Sequence, residues 1–382
     1  MPDVHATLSA SASYRWLRCT PSARLEAKVP DKTSSFAEEG TKAHALAEKR
    51  LNKFLEGKPL KRKPKDIDGE MWEATGQYVD ICIEKINEAR SVSPDAEVHV
   101  EERLDFSPWV PLGFGTGDMV IMSDSYIEVI DLKYGKGVRV SAEDNSQMRL
   151  YALGLYNKYG ILYGAEKVRM TIVQPRIDNI STAEMSTEDL LAWGASIQPI
   201  AQKAFEGAGE RCAGEHCLFC KVKATCRMLA EYELEKVQED LEPDDLTDVD
   251  VVDILLRSDS IKKWLTALEE YALDQAVKGN IEWPGMKVVE GRSNRKITDE
   301  AAAQKVLINA GYKADEILKA PALKTITDLE KLMGKKVFAE TLKDLIVKPQ
   351  GKPTLVANSD KRPPMKLGTL EADDFDDDLL NE

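Results

Sequence analysis

No stretch of this sequence approaches the roughly 20 consecutive apolar residues that a helix needs to cross a bilayer, which argues against a membrane-spanning protein. The opening, MPDVHATLSASASYRW, lacks the basic start and apolar run of a secretory leader, so a cytoplasmic protein is expected. No internal repeat is visible. Positive charge is in deficit: 52 Lys and Arg stand against 66 Asp and Glu, a formal net charge of -14. That balance is unusual for a nucleic-acid binder. The acid is unevenly placed, however, with much of it in residues 231–253 and after Leu370. The run KPLKRKPK at 58–65 is basic, and Lys133, Lys136 and Arg139 lie close together. Local sign, rather than the total, governs attraction to a phosphate backbone.

Apolar residues make up 43% of the 382, enough for a real core, and the length suits two domains or one with an appendage. The pattern predicts a short helix near 14–17, a helix from about residue 35 with Ala43, Ala47 and Leu51 on one face, and another over 69–90. Strands are expected at 97–104, 115–122 and 126–134, the last two forming an antiparallel hairpin across Ser123-Asp124-Ser125. A helix over 145–159, a strand over 168–174 and a helix over 186–206 follow, with Pro199 expected to kink or divide the last. The acidic segment 242–250 reads as a boundary. Beyond it come helices, a strand-like piece at 286–290, and a tail, EADDFDDDLLNE, too charged to pack.

The chemistry concentrates on the hairpin. In YIEVIDLKY, alternation puts Ile127, Val129, Asp131 and Lys133 on one face. A carboxylate at the end of an apolar strand is costly unless a cation compensates it. The partner strand, GTGDMV, offers Asp118 beside Gly115 and Gly117, which allow close approach. Two converging carboxylates make a hard-oxygen site suited to Mg2+ or Mn2+, and a lysine two residues on can hold the attacking hydroxide and stabilise developing charge. The competing reading is a structural Asp131–Lys133 ion pair, since D-x-K is common by chance. His44 lies on the preceding helix. Gln147 and Tyr151 share a face of the following one.

The ordered set His44, Asp118, Asp131-Leu132-Lys133 and Gln147-x-x-x-Tyr151 resembles the RecB-like branch of the PD-(D/E)xK nucleases, over about residues 8–228 and in the manner of a phage or prophage branch. The resemblance implies an α/β, restriction-endonuclease-like mixed sheet flanked by helices, and DNA cleavage. It implies that Asp118, Asp131, the Leu132 carbonyl and His44 bind metal, that Lys133 orients water, and that Gln147 and Tyr151 touch DNA or the lysine.

Four of the six cysteines fall within 212–226, a density that favours metal over free thiols. Cys217-x2-Cys220-x5-Cys226 puts three thiolates within reach of one centre. Either Cys212, suiting zinc, or the distant Cys19 could be the fourth ligand, with His216 competing in the zinc case. One cysteine before the nuclease core and three after it is similar to the AddB-type and CRISPR-adaptation nucleases, as is the opening from Ser9 to Pro21. That resemblance implies a 4Fe–4S cluster on Cys19, Cys217, Cys220 and Cys226, stapling the two ends of the domain. Cys82 reads as a core residue.

The expected organisation is a nuclease domain over 1–230, a mainly helical accessory domain over 245–350, and a linker and disordered acidic tail over 351–382. Trp264, Leu265, Leu268, Tyr271 and Ala272 read as a core stripe, and GRSNRK at 291–296 as a basic loop. The leading functional reading is a DNA exonuclease or end-processing nuclease of phage recombination or replication, whose partner proteins the acidic tail could bind. A non-cleaving DNA-binding module and a zinc-stabilised adaptor are the alternatives.

Overall fold

The computed structural model describes residues 6–30, 35–60, 62–238, 247–286 and 288. The chain divides into two units, Met1–Ile281 and Glu282–Glu382, and the elements below belong to the first. In chain order they are α1 (Ser13–Trp16), α2 (Ser22–Glu26), α3 (Ser35–Leu55), α4 (Gly69–Val92), β1 (Glu97–Asp105), β2 (Phe114–Met122), β3 (Tyr126–Leu132), α5 (Ser146–Leu155), β4 (Lys167–Gln174), β5 (Asn179–Ser186), α6 (Thr187–Glu206), α7 (Arg227–Gln238) and α8 (Asp248–Val277).

The five strands form one mixed sheet in sequence order, flanked by helices: an α/β fold. Neighbours are antiparallel except β3 and β4. A parallel pair needs a crossover, and α5 supplies it, returning over β3. Strand β3 is buried along its whole length. Its Ile127 and Val129 pack with Val120, Met148 and Leu153 in one core. Its Tyr126, Ile130 and Leu132 pack with Ala47, Leu51, Val79 and Ile86 from α3 and α4 in the other. Each such side chain fully buried contributes about 1.5–3 kcal/mol. Ala43, Ala47 and Leu51 are buried as their four-residue spacing predicts, and Cys82 lies in the α4 core.

The structure adds one strand and corrects two expectations. Strand β5 carries no sequence signal because NISTAEMS is polar: it is an edge strand with a mostly accessible face. Pro199 lies inside α6 without dividing it. Pro199 and Ala195 are both exposed, so the carbonyl that loses its donor meets water, while buried Leu190, Ile197 and Ala201 hold the helix down. On α8, Trp264 is buried but Leu265 and Leu268 are exposed, so those leucines are not core. The expected strand at 286–290 falls largely outside the described residues, and the loop at 291–296, the rest of the accessory domain and the tail fall wholly outside. No helix among the described residues is long and apolar enough to cross a membrane.

The helical face of β3 also buries Glu128 completely. Thr171 donates to it at 2.7 Å, and Lys85 and Arg169 approach at 3.7 and 3.6 Å. Burial outweighs these cations and raises its pKa above the ordinary glutamate value. A folded-state pKa above the unfolded one gives stability that is full below about 4.5 and is lost as pH rises through the folded value. Urea unfolding of the wild type and Glu128→Gln at pH 4 and pH 7 should therefore show the difference moving in the variant's favour at the higher pH. A pH-independent difference would mean that the buried carboxyl keeps its ordinary affinity for the proton.

Candidate active site

The hairpin pairing of β2 with β3 runs down to Met119 opposite Ile130. One step further, in the same register, Asp118 faces Asp131. There the ladder opens, and the Asp118 carboxylate takes the place of a backbone acceptor. Its Oδ2 accepts the Leu132 N–H at 2.6 Å, and its Oδ1 accepts from His44 Nδ1, on α3, at 3.0 Å. Lys133 follows the end of β3, its own N–H held by the Val173 carbonyl at 2.9 Å. Its Nζ lies 2.9 Å from Asp131 Oδ2, an ion pair without hydrogen-bond alignment.

Helix α5 completes the group. Asn145 caps it, accepting the Met148 N–H at 3.1 Å, and the first two turns then present Gln147 and Tyr151 to the sheet. Gln147 is used at both ends. Its Oε1 accepts from Lys133 Nζ at 2.9 Å. Its Nε2 donates to Asp131 Oδ1 at 3.0 Å and to the Tyr151 hydroxyl at 3.3 Å. The amide thus sets the direction of both the lysine and the carboxylate. All six side chains the sequence singled out on these elements come together.

Their charges are strongly coupled. Burial disfavours charge on His44, but the hydrogen bond and charge of Asp118, with Asp131 behind it, prevail and hold its pKa up to about 9. Burial also raises the Asp131 carboxyl, with Lys133 opposing and Asp118 reinforcing the rise. The Tyr151 hydroxyl is pushed up by burial and by the same two carboxylates.

The side chains best placed for a shared ion differ from the predicted set. Among the described residues, one such group has ligand atoms within 4.8 Å of one another: His44, Glu101 and Asp118. Asp131 falls outside it. Glu101 had no signal in the sequence, being one of three consecutive charges in a strand. It stands where β1 and β2 pair on either side, between Val100↔Met119 and Glu102↔Gly117, and its φ of 54° turns the strand at the position facing Asp118. Burial, then Asp118 and Glu48, push its pKa up to about 7.

The cysteines lie where the chain's early and late segments meet. Cys19, Cys217 and Cys220 are buried and Cys212 is exposed. Cys212 and Cys226 lie near both Cys19 and Cys217, while Cys220 lies beside Cys217, Glu26 and Arg15. Burial raises the thiols of Cys19 and Cys217 and takes Cys220 to about 12. Among the described residues, no three of these sulfurs come within 4.8 Å of one another. Tetrahedral zinc at 2.3 Å per thiolate would hold them about 3.8 Å apart, so the sulfurs are not spaced as a closed zinc site. Glu26, a residue without a sequence signal, ties the segments together. One carboxylate oxygen takes Arg15 at 2.8 Å and the other takes the Lys221 N–H at 2.8 Å. The Ser13 and Ser146 hydroxyls, 2.7 Å apart, link this region to the first turn of α5.

A family model described as "Protein of unknown function (DUF2800)" matches residues 5–363. The chain belongs to this family. A solved structure titled "Crystal structure of SSO0001" is similar over 58% of this chain and 85% of that one, at 16% identity and a TM-score of 0.27, a likeness too slight to carry an argument.

In this DUF2800 member a cleft of about 800 Å3 runs from Lys133 and Gln147 to Cys217, Phe219 and Trp264. Next to Gln147, which donates to the Tyr151 hydroxyl, packing is close: a Cβ on Gly115 would lie 2.6 Å from the buried Tyr151 ring. Gly115→Ala should therefore cost about 1–3 kcal/mol in urea unfolding. In a Tyr151→Leu background the same substitution should cost less; an equal cost in both would show that the ring is not the obstacle.

Proposed function

We propose that this DUF2800 protein is a divalent-metal-dependent DNA nuclease, acting as an exonuclease or end-processing enzyme. One observation carries the reading: Asp118 and Asp131 face each other at the open end of a hairpin, and Lys133 and Gln147 are locked onto Asp131. Carboxylate, carbonyl and imidazole donors suit Mg2+ or Mn2+, and Asp118, Asp131, the Leu132 carbonyl and His44 would hold the ion. Bound there, it supplies Lewis-acid polarisation of a phosphodiester and a more acidic water.

The chain's own groups do the rest. A strand laid in the cleft brings its phosphate to Lys133, whose ammonium offsets the charge that develops as water attacks. Gln147 keeps that ammonium aimed, and Tyr151 fixes Gln147. Lys133, paired with Asp131 at 2.9 Å, would also orient the attacking water. The resemblance to RecB-like nucleases supports the same roles and a place in phage recombination or replication, in the cytoplasm of a host, with the acidic tail available to partner proteins.

For the cysteines, the reading is a 4Fe–4S cluster on Cys19, Cys217, Cys220 and Cys226. The resemblance supports it, as does the position of buried Cys19 beside Cys212 and Cys226 of the late segment. Zinc with Cys212 in place of Cys19 is the alternative, since Cys19 and Cys212 are neighbours.

With Mn2+ or Mg2+, the protein should degrade end-labelled DNA, and Asp131→Asn or Lys133→Ala should slow this by about 100-fold or more. Undiminished cutting by both variants would remove the assigned roles. Anaerobically purified protein should be coloured and contain iron. Cys19→Ser should lose both features, and Cys212→Ser should keep them. A colourless, zinc-loaded protein would overturn the cluster.

A further inference from the structure

The basic run KPLKRKPK at 58–65 has no task in the nuclease reading so far. It connects α3 to α4. These helices run in the same direction: Ala43 and Leu46 pack with Met71 and Ala74, and further along Leu51 packs with Tyr78 and Val79. The connection therefore returns from the far end of α3 to the start of α4, with Lys58, Arg62 and Lys65 exposed along it. It arrives at the edge of the sheet that carries the acidic site, because Tyr134, next to Lys133, packs with Ala43 and Met71.

At that edge Glu70, in the first turn of α4, is gripped by two cations. Arg176 Nε and Nη2 donate to its two carboxylate oxygens at 3.1 and 3.3 Å, and Lys136 Nζ lies 2.5 Å from its Oε1. Lys136, then Arg176, hold its carboxyl below the ordinary glutamate value. Both cations come from the ends of the parallel strands: Lys136 from the chain leaving β3, just after Lys133, and Arg176 from the turn leaving β4. Arg176 does not depend on Glu70 for its place. Its guanidinium lies 4.4 Å over the buried Tyr134 ring, and its Nη1 donates to Glu39 at 3.1 Å. Glu70 and Lys136, by contrast, are about half exposed, so the carboxylate can swing out without uncovering a core. The paired N–H groups of a guanidinium fit a phosphate as well as a carboxylate, and the first turn of a helix favours either anion.

We propose that Arg176 and Lys136 form a subsite for a backbone phosphate of DNA, which Glu70 occupies in the free protein and which the basic run at 58–65 flanks. The proposal rests on the nuclease reading for its ligand. The contact is separate from the reacting phosphate at Lys133, so it governs binding and register rather than chemistry.

The experiment is fluorescence anisotropy of labelled duplex DNA with the full-length protein in EDTA, over a range of salt. Lys136→Ala and Arg176→Gln should each weaken binding and reduce the slope of log K against log salt by about 0.9. The half-exposed lysine serves if the arginine variant fails to fold. Glu70→Gln should tighten binding about 2–5-fold, because DNA no longer competes with an exposed ion pair. In a Lys136→Ala background that gain should shrink. An unchanged slope for Lys136→Ala, or weaker binding by Glu70→Gln, would overturn the proposal, leaving ion pairs that only pin α4 to the sheet. An equal gain in both backgrounds would also overturn it, by reducing Glu70 to general repulsion, and so would a wild type that binds no DNA. An unchanged slope in a protein that cuts DNA with Mn2+ would remove the subsite and keep the nuclease reading. The expected binding pattern in a protein that never cuts would do the opposite.

Discussion

The Asp118 carboxylate is the constraint on which the site depends. It stands where the hairpin ladder stops, and it replaces the missing backbone acceptor by taking the Leu132 N–H at 2.6 Å. That bond fixes the strand end from which Asp131 and Lys133 project. Its other oxygen anchors His44, and so sets where α3 meets the sheet. A carboxylate used in this way is held on both sides by donors, and it does not collapse onto Lys133. The lysine is left to Asp131 and Gln147. Like charges can then remain close together in a partly buried place, which is the arrangement that a cation neutralises.

The early and late segments close the fold by a comparable device. Glu26 joins Arg15 to the backbone of Lys221 across 195 residues of chain, and Thr20 donates to the Ala208 carbonyl at 2.6 Å. Ordering such distant segments carries an entropic cost that grows with loop length. Buried charge-assisted bonds offset part of it, and a thiolate-held centre would offset more. The Ser13–Ser146 contact carries this closure to α5, and hence to Gln147. The cysteine region and the acidic site are therefore mechanically connected, although their chemistries are separate.

Much of this was legible in the residues. The alternation in YIEVIDLKY named the buried strand and the face that carries Asp131 and Lys133. The i, i+4 pair Gln147 and Tyr151 named the helix face that meets it. Ala43, Ala47 and Leu51 named the buried face of α3. Each of these signals is periodic, and periodicity is local. What stayed hidden has no period. Strand β5 borrows its stability from pairing with β4, and so can be polar. Pro199 is tolerated because the carbonyl it strands is exposed, which depends on how α6 is rotated. Glu26 and Glu101 look like any surface glutamate until the chain brings Lys221 to one and Asp118 to the other.

The sequence by itself determined which residues could do chemistry, and which strand and helix faces would present them, because side-chain direction follows from backbone geometry alone. Only the tertiary structure decided which of them share space. It set Asp118 opposite Asp131 through a register, gave Lys133 to Asp131 through Gln147, and brought Glu101 into the group through a single left-handed residue. Those outcomes depend on contacts between segments far apart in the chain, and no local pattern encodes such distances.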